Sequence, residues 1–293
     1  MAVDFAVSDR EYLRHGDGIL LARIYMPDKP GPMPCIVELH GGAWSQFDRT
    51  RGKSVHEALA RTGVVVVALD FRQGKYGAYP LSVSDINYGI RWVKAHAGEL
   101  RTRPDLVGLS GNSSGGHLAM LVGMRPADPR YAAIPLAAGA AEHDASVRCV
   151  VMLWPVINPL GRYRYAKRLS LRPDRPEWVD QVIALQDQYW GGEANQAEGN
   201  PMLILERGEP VSLPPALWIQ STRDIAHDYH DEDSGFPGME ADRFVDRYRR
   251  AGGAIRLAPF DAPMLFTTAH PTLPESAEAL RLIADFVHSN IQP

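Results

Sequence analysis

The sequence predicts an α/β fold, a mostly parallel central sheet with helices on both faces. Three observations lead there. Residues 35–39, 64–69 and 149–154 are apolar without alternation, as strands buried on both faces must be. Segments with helical apolar spacing fall between such runs, among them residues 82–97 and 239–250. Residues 106–124 read as strand, sharp turn and helix, with Gly-x-Ser-x-Gly in the turn.

In chain order, residues 19–26 alternate weakly after the turn at Gly16-Asp17-Gly18 and stop at Pro27, which predicts an early edge strand. A Pro/Gly loop over 28–34 leads to the strand at 35–39, which runs straight into His40-Gly41-Gly42-Ala43-Trp44. Residues 53–61 read as a short helix closed by Gly63, and 64–69 as a central parallel strand. The helix over 82–97 aligns Val83, Ile86, Ile90 and Val93, with Asp85 near its start, where the helix dipole favours an acid. After the serine-bearing turn, 149–154 is a strand stopped by Pro155. The pattern loosens over 156–215, with one helix predicted near 178–190, and this stretch reads as a lid insertion within a single domain spanning 1–293. A strand at 216–220, an amphipathic helix at 239–250 ended by Gly252-Gly253, a last strand at 255–260 and a last helix at 276–288 complete the chain.

Composition narrows the function classes. A length of 293 residues suffices for one large α/β domain, and 45% apolar with 23% charged residues is ordinary for a soluble enzyme. A formal charge of −4 gives no reason to expect a nucleic-acid partner. Cys35 and Cys149 lie inside apolar runs, which predicts small buried thiols and not a disulfide framework. The first residues lack a basic segment followed by an apolar core, and no apolar run approaches the roughly 18 residues of a membrane span. The expectation is a cytoplasmic protein with no membrane partner.

The chemistry concentrates at Ser113. A serine that attacks a carbonyl must stand clear of its own backbone, and a strand-to-helix elbow lifts the hydroxyl into the open while flanking glycines relieve the crowding. Serine also needs a base, and the base an orienting acid. Asp224 lies in the turn beyond the strand at 216–220. Of the ten histidines, His270 is the one between the last strand and the last helix, so it is the expected base. His227 and His230 crowd the acid loop beside Asp228 and Asp231 and are its rivals, as metal or substrate contacts. Their spacing matches no ligand motif, so no metal is expected. His117, one turn into the helix, is assigned to packing or a backbone hydrogen bond. In the loop after residues 35–39, small residues let the backbone approach a developing oxyanion, so the N–H groups of Gly42 and Ala43, with that of Ser114, are the expected donors. His40 braces that loop, and Trp44 beside it is expected to shape the acyl side of a substrate pocket.

These motifs together, HGGAW, then GNSSGGHLA, then a late Asp and His, resemble the α/β-hydrolase fold, specifically the hormone-sensitive-lipase-like esterases and the related arylformamidases. The resemblance covers nearly the whole chain from Ile19 onward. It implies that the first motif supplies the oxyanion hole and the second the nucleophile. The chain departs from the pattern in two places: Ala43 stands where the lipase-like branch usually has a third glycine, and His270 is followed by Pro271-Thr272 where Gly or Ala and then an aromatic residue are usual.

The resulting expectation is a serine hydrolase that cleaves a carboxylic ester of a small to medium substrate through an acyl-enzyme, with Ser113, His270 and Asp224 as the triad and no cofactor. An amidase or arylformamidase would use the same residues. A non-catalytic small-molecule-binding module on the same fold is the alternative of another class. The partners expected are a small-molecule ester or amide and, at most, a second copy of the chain in a homodimer. Residues 161–175 hold Arg162, Arg164, Lys167, Arg168, Arg172 and Arg175 against the single acid Asp174. A solvated lid surface is the favoured reading of that run, and the sharper one is that one of these arginines holds a substrate carboxylate.

Overall fold

The computed structural model describes residues 2–138, 140 and 142–292. Its inner strands are largely apolar because they feed two cores at once. Cys35, Val37 and Leu39 enter one core while Ile36 enters the other; Val65, Val67 and Leu69 are likewise split from Val66. Trp218 and Ile219 divide in the same way. Side chains along a strand point alternately to opposite faces, so a strand covered on both sides is apolar at most positions.

The chain runs β1 (Phe5–His15), β2 (Gly18–Pro27), β3 (Cys35–Leu39), α1 (Lys53–Arg61), β4 (Val65–Leu69), α2 (Leu81–Ala95), β5 (Val107–Asn112) and α3 (Ser114–Met124). It continues with β6 (Val150–Leu153), α4 (Pro159–Ser170), α5 (Trp178–Trp190), α6 (Glu193–Glu198), α7 (Pro201–Glu206) and β7 (Ala216–Ser221). It closes with α8 (Glu240–Arg250), β8 (Ile255–Phe260), α9 (Phe266–Ala269) and α10 (Pro274–Asn290). One sheet has the order β1-β2-β4-β3-β5-β6-β7-β8, with the six strands from β4 to β8 in that order mutually parallel and β2 antiparallel to both of its neighbours, β1 and β4. Residues of α2, α3 and α8 pack in one core, and those of α1, α9 and α10 in the other.

Several elements depart from the sequence expectation. The edge strand is β1, and β2 lies inside it, paired on both sides. Most of β1 is exposed and its sequence is rich in charge, so it carries no apolar signal. The backbone ladder holds it, with Asp9 gripped by Arg23 and Arg49 at 2.8 and 2.9 Å. Asp85 sits fully buried in α2, where it binds Arg72 at 2.7 Å and His15 at 2.8 Å, so it ties β1 to the sheet's interior instead of only capping a dipole. Between β6 and β7 the expected single helix is α5, and α4, α6 and α7 accompany it. Asn158 and Asn200 start α4 and α7 by accepting from Gly161 and Leu203 N–H groups, each with proline at the first helical positions. No described helix is long and apolar enough to cross a membrane.

Candidate active site

The parallel strands end on one edge, and the turns after β3, β5 and β7 meet there. After β5, Ser113 takes φ 51° and ψ −120°, a conformation that a residue with a Cβ adopts only under constraint. The constraint is visible. The Ser113 N–H donates to the Leu153 carbonyl at 2.9 Å, and its own carbonyl accepts from Val156 and His117 at 3.1 Å each. Glycine is required on both sides: a Cβ at Gly111 would overlap the Gly115 carbonyl, and one at Gly115 the Leu39 carbonyl. This close approach seats α3 against the end of β3.

The Ser113 Oγ lies 2.9 Å from Nε2 of His227, whose Nδ1 is 2.8 Å from Oδ2 and 2.9 Å from Oδ1 of Asp224. Asp224 Oδ1 also accepts the N–H groups of Ala226 at 3.1 Å and His227 at 3.2 Å. Burial pushes the Asp224 pKa up, but the facing His227 ring and these hydrogen bonds outweigh it, and the carboxyl is held below its usual range. The structure therefore brings Ser113 and Asp224 together with His227, not with His270. This is a correction to the sequence reading. His270 is exposed at the end of α9, its N–H bonded back to the Phe266 carbonyl at 2.9 Å. Phe266 anchors α9 in the core, and Ser276 Oγ holds the Phe266 and His270 carbonyls at 3.0 and 2.8 Å. The segment after β8 does reach the site, but it presents Met264, Leu265 and Thr268. The signal for His227 in the sequence was its spacing of three residues from Asp224, which lets one turn of chain carry both groups.

The loop after β3 is held in an unusual shape, with φ of 107°, 49° and 60° at Gly42, Ala43 and Trp44. Ser45 and Gln46 N–H groups close on the Gly42 carbonyl at 3.0 Å, and the Trp44 N–H donates to Ser114 Oγ at 3.1 Å. Among the described residues, the N–H groups of Gly42 and Ala43 donate to no protein acceptor. Ser114 opens α3, and N–H groups in a helix's first turn have no acceptor within the helix. His40 Nδ1 bonds the Gly41 carbonyl at 2.8 Å, and its ring stacks on Phe71 at 4.4 Å. His117 is buried, which lowers its pKa to about 4, so the ring is neutral. Its Nδ1 accepts from Trp44 Nε1 at 3.1 Å, which leaves Nε2 to donate to the Gly199 carbonyl at 2.8 Å.

Trp44 does not shape a pocket as expected. It is 1% exposed, stacked on Tyr189 and edge-on to Trp190, because its positive φ turns the indole under the loop and into the core. A cavity of about 240 Å³ opens instead over Ser113, with Gly41, Gly42, Ala43, Asn112 and His227 at its floor. Phe47, Trp154 and Leu265 line its walls, together with Arg162 of α4 and Trp178, Val182 and Leu185 of α5. Tyr165 stacks on Tyr229 at 4.5 Å, and Tyr163 donates to Asp187 at 2.6 Å. The other polar residues of the acid loop have partners of their own. His230 faces the Gly238 carbonyl at 3.0 Å, Asp228 accepts the Ala241 N–H at 3.0 Å, and Asp231 pairs with Arg243 at 3.2 Å. Among the described residues, no group of three His, Cys, Asp or Glu side chains is placed to hold a metal.

The doubly covered parallel sheet with a strained serine elbow after β5 defines this chain as an α/β-hydrolase-fold protein. Solved structures agree on the fold. A carboxylesterase named EstE1, cloned from a metagenomic library, superposes with a TM-score of 0.75 at 22% identity over 100% of this chain and 92% of that one. An esterase from Pyrobaculum calidifontis gives 0.74 at 22% identity over 97% and 85%. Within the fold, residues 23–188 match the BD-FAE family model, and the chain belongs to that family. Esterase LipC of Mycobacterium tuberculosis is 29% identical over 227 residues, 76% of this chain and 50% of LipC, so the chain spans about half the length of that relative.

Proposed function

We propose that this protein is a serine hydrolase that cleaves the carboxylic ester of a small to medium substrate through an acyl-enzyme. The observation that carries the reading is the continuous hydrogen-bonded line from Ser113 Oγ through His227 to Asp224 on the floor of a cavity. In the proposed reaction His227 Nε2 takes the Ser113 proton as Oγ bonds the ester carbon. Asp224 fixes the tautomer with hydrogen on Nδ1 and stabilises the imidazolium that forms. The N–H groups of Gly42, Ala43 and Ser114 receive the negative oxygen, each donor lowering the barrier by about 3 kcal/mol. Collapse breaks the bond to the alcohol, which leaves with the proton that His227 returns. Water, deprotonated by the same imidazole, then attacks the acyl-enzyme, and the acid leaves as Ser113 regains its proton. The esterase names of LipC, EstE1 and the Pyrobaculum protein support this reading.

The α4–α7 segment acts in this proposal as the cap over the reacting carbonyl. Its support is that Arg162, Trp178, Gln181, Val182 and Leu185, all from this segment, line the cavity. A fluorophosphonate probe tests the whole reading, with stoichiometric labelling of the wild type and none of Ser113→Ala as the expected result. Folded wild-type protein that takes no label and releases no p-nitrophenol from short-chain acyl esters would mark a non-catalytic binding protein instead. Matched ester and anilide substrates with one acyl group test the bond type, with the ester expected to be the better substrate.

A further inference from the structure

Four of the six basic side chains at 161–175 sit in surface ion pairs. Arg164 pairs with Glu193 at 2.6 Å, Arg168 with Asp233 at 2.6 Å, Arg172 with Asp174 at 3.1 Å and Arg175 with Asp180 at 3.0 Å. Lys167 lies over the Tyr163 ring at 5.1 Å. Arg162 differs from all of them. It is 3% exposed and lines the cavity above Ser113, yet no carboxylate among the described residues pairs with it. Its Nε donates to Gln186 Oε1 at 3.2 Å, and its guanidinium lies 5.4 Å from the Trp44 ring centroid. Gln186 is fixed in turn by donating to the Pro159 carbonyl at 3.0 Å. The Arg162 Nη2 is buried and has no hydrogen-bond partner among the described residues.

A guanidinium held in place, desolvated and touched by no carboxylate among the described residues is costly unless something completes it. Burial lowers its pKa only to about 10, against the raising effect of Tyr229 and of the more distant Asp224 carboxylate, so it stays charged at neutral pH. The rest of the cavity has the same sign. Arg51 stands at its edge over the Phe47 ring at 4.4 Å, and among the described residues no Asp or Glu lines the space. We propose that Arg162 binds a carboxylate on the substrate, so that the preferred substrates are esters carrying a second, ionised acid group. The inference rests on the hydrolase reading for the bond cleaved, but the anion site itself can be measured without cleavage. A carboxylate in the cavity supplies the guanidinium with an ionised acceptor, in a charge-assisted bond made where water is excluded.

Two matched pairs test it on the full-length chain. The first compares p-nitrophenyl hydrogen glutarate with its methyl-capped diester. The second, with the acid on the alcohol half, compares 4-butyryloxybenzoic acid with its methyl ester. In at least one pair, the ratio of kcat/KM for the anionic over the neutral member is expected to fall about tenfold to a hundredfold in Arg162→Gln, with Arg162→Lys between the two. A ratio that is the same within twofold in wild type, Arg162→Gln and Arg162→Lys for both pairs overturns the proposal. So does a loss of the ratio in Arg51→Gln and not in Arg162→Gln. Should Arg162→Gln not fold, Arg162→Lys and the wild-type ratio decide, and a wild type blind to charge in both pairs overturns it. Calorimetry on the Ser113→Ala protein separates the two readings. Binding of glutarate or 4-hydroxybenzoate there, weakened on adding Arg162→Lys and lost on adding Arg162→Gln, upholds the anion site even if no ester is cleaved and Ser113 takes no probe. Cleavage of both members of each pair with no carboxylate binding upholds the hydrolase and discards the anion site.

Discussion

His227 and Asp224 lie three residues apart on a single turn, with the imidazole Nδ1 2.8 Å from one carboxylate oxygen and the His227 N–H 3.2 Å from the other. The acid thus orients the ring and the backbone that carries it together. One loop after β7 holds both partners of Ser113, and the segment after β8 is left to line the cavity with Met264 and Leu265.

This relationship separates the two histidines experimentally. On the proposed mechanism, His227→Ala lowers kcat for p-nitrophenyl butyrate by about three to four orders of magnitude, and Asp224→Asn by about two to four. His270→Ala, on an exposed ring, stays within about threefold of wild type. Steady-state kinetics on the three purified variants checks the ordering, and a large loss in His270→Ala alone would refute it.

The loop after β3 depends on Ser114 as well as on its glycines. Ser114→Ala removes the acceptor of the Trp44 N–H and leaves that donor buried. We expect a loss of about 1–3 kcal/mol in stability, and a fall in kcat larger than any rise in KM because the loop's N–H groups lose their aim. Thermal melts and kinetics on the same preparation measure both.

Asp228, beside the proposed base, has its pKa raised to about 7, chiefly by burial and further by the charges of Asp242, Glu240 and Asp224, against the pull of the Ala241 N–H. An acid whose folded pKa is raised contributes stability in its protonated form, which is lost as pH climbs from about 4 through 7. Asp228→Asn keeps the oxygen that accepts the Ala241 N–H and removes the titration. It should match wild type near pH 4 and exceed it at pH 8 by of order 2 kcal/mol. Denaturant unfolding at the two pH values tests the sign; equal differences at both would dismiss it.

Arg243 gathers Glu206, Asp231 and Glu240 at 2.7, 3.2 and 2.9 Å and so pins the acid loop to α7 and α8. Glu240 is only 2% exposed, so Arg243→Met leaves it as an uncompensated buried charge. A loss of about 3–5 kcal/mol is expected, with part of it restored by adding Glu240→Gln. Denaturant midpoints of the single and double variants give the answer.

The largely apolar runs at 35–39, 64–69, 149–154 and 216–220 determined the inner sheet, because a strand covered on both faces keeps a polar side chain only where a partner meets it, as His56 meets Glu38 and Trp218 Nε1 meets Gln220. The glycines around Ser113 likewise marked the elbow, since only their missing Cβ atoms let β3, β5 and α3 come together. Edge strand β1 stayed hidden because backbone pairing holds it while its side chains face water. Tertiary structure alone chose His227 over His270, turned Trp44 into the core and left Arg162 with no paired carboxylate among the described residues. Each of these is a distance of a few ångströms between groups far apart in the chain, set by how loops cross the sheet's edge. Local pattern carries which face a residue belongs to, and it does not carry which distant partner that face will meet.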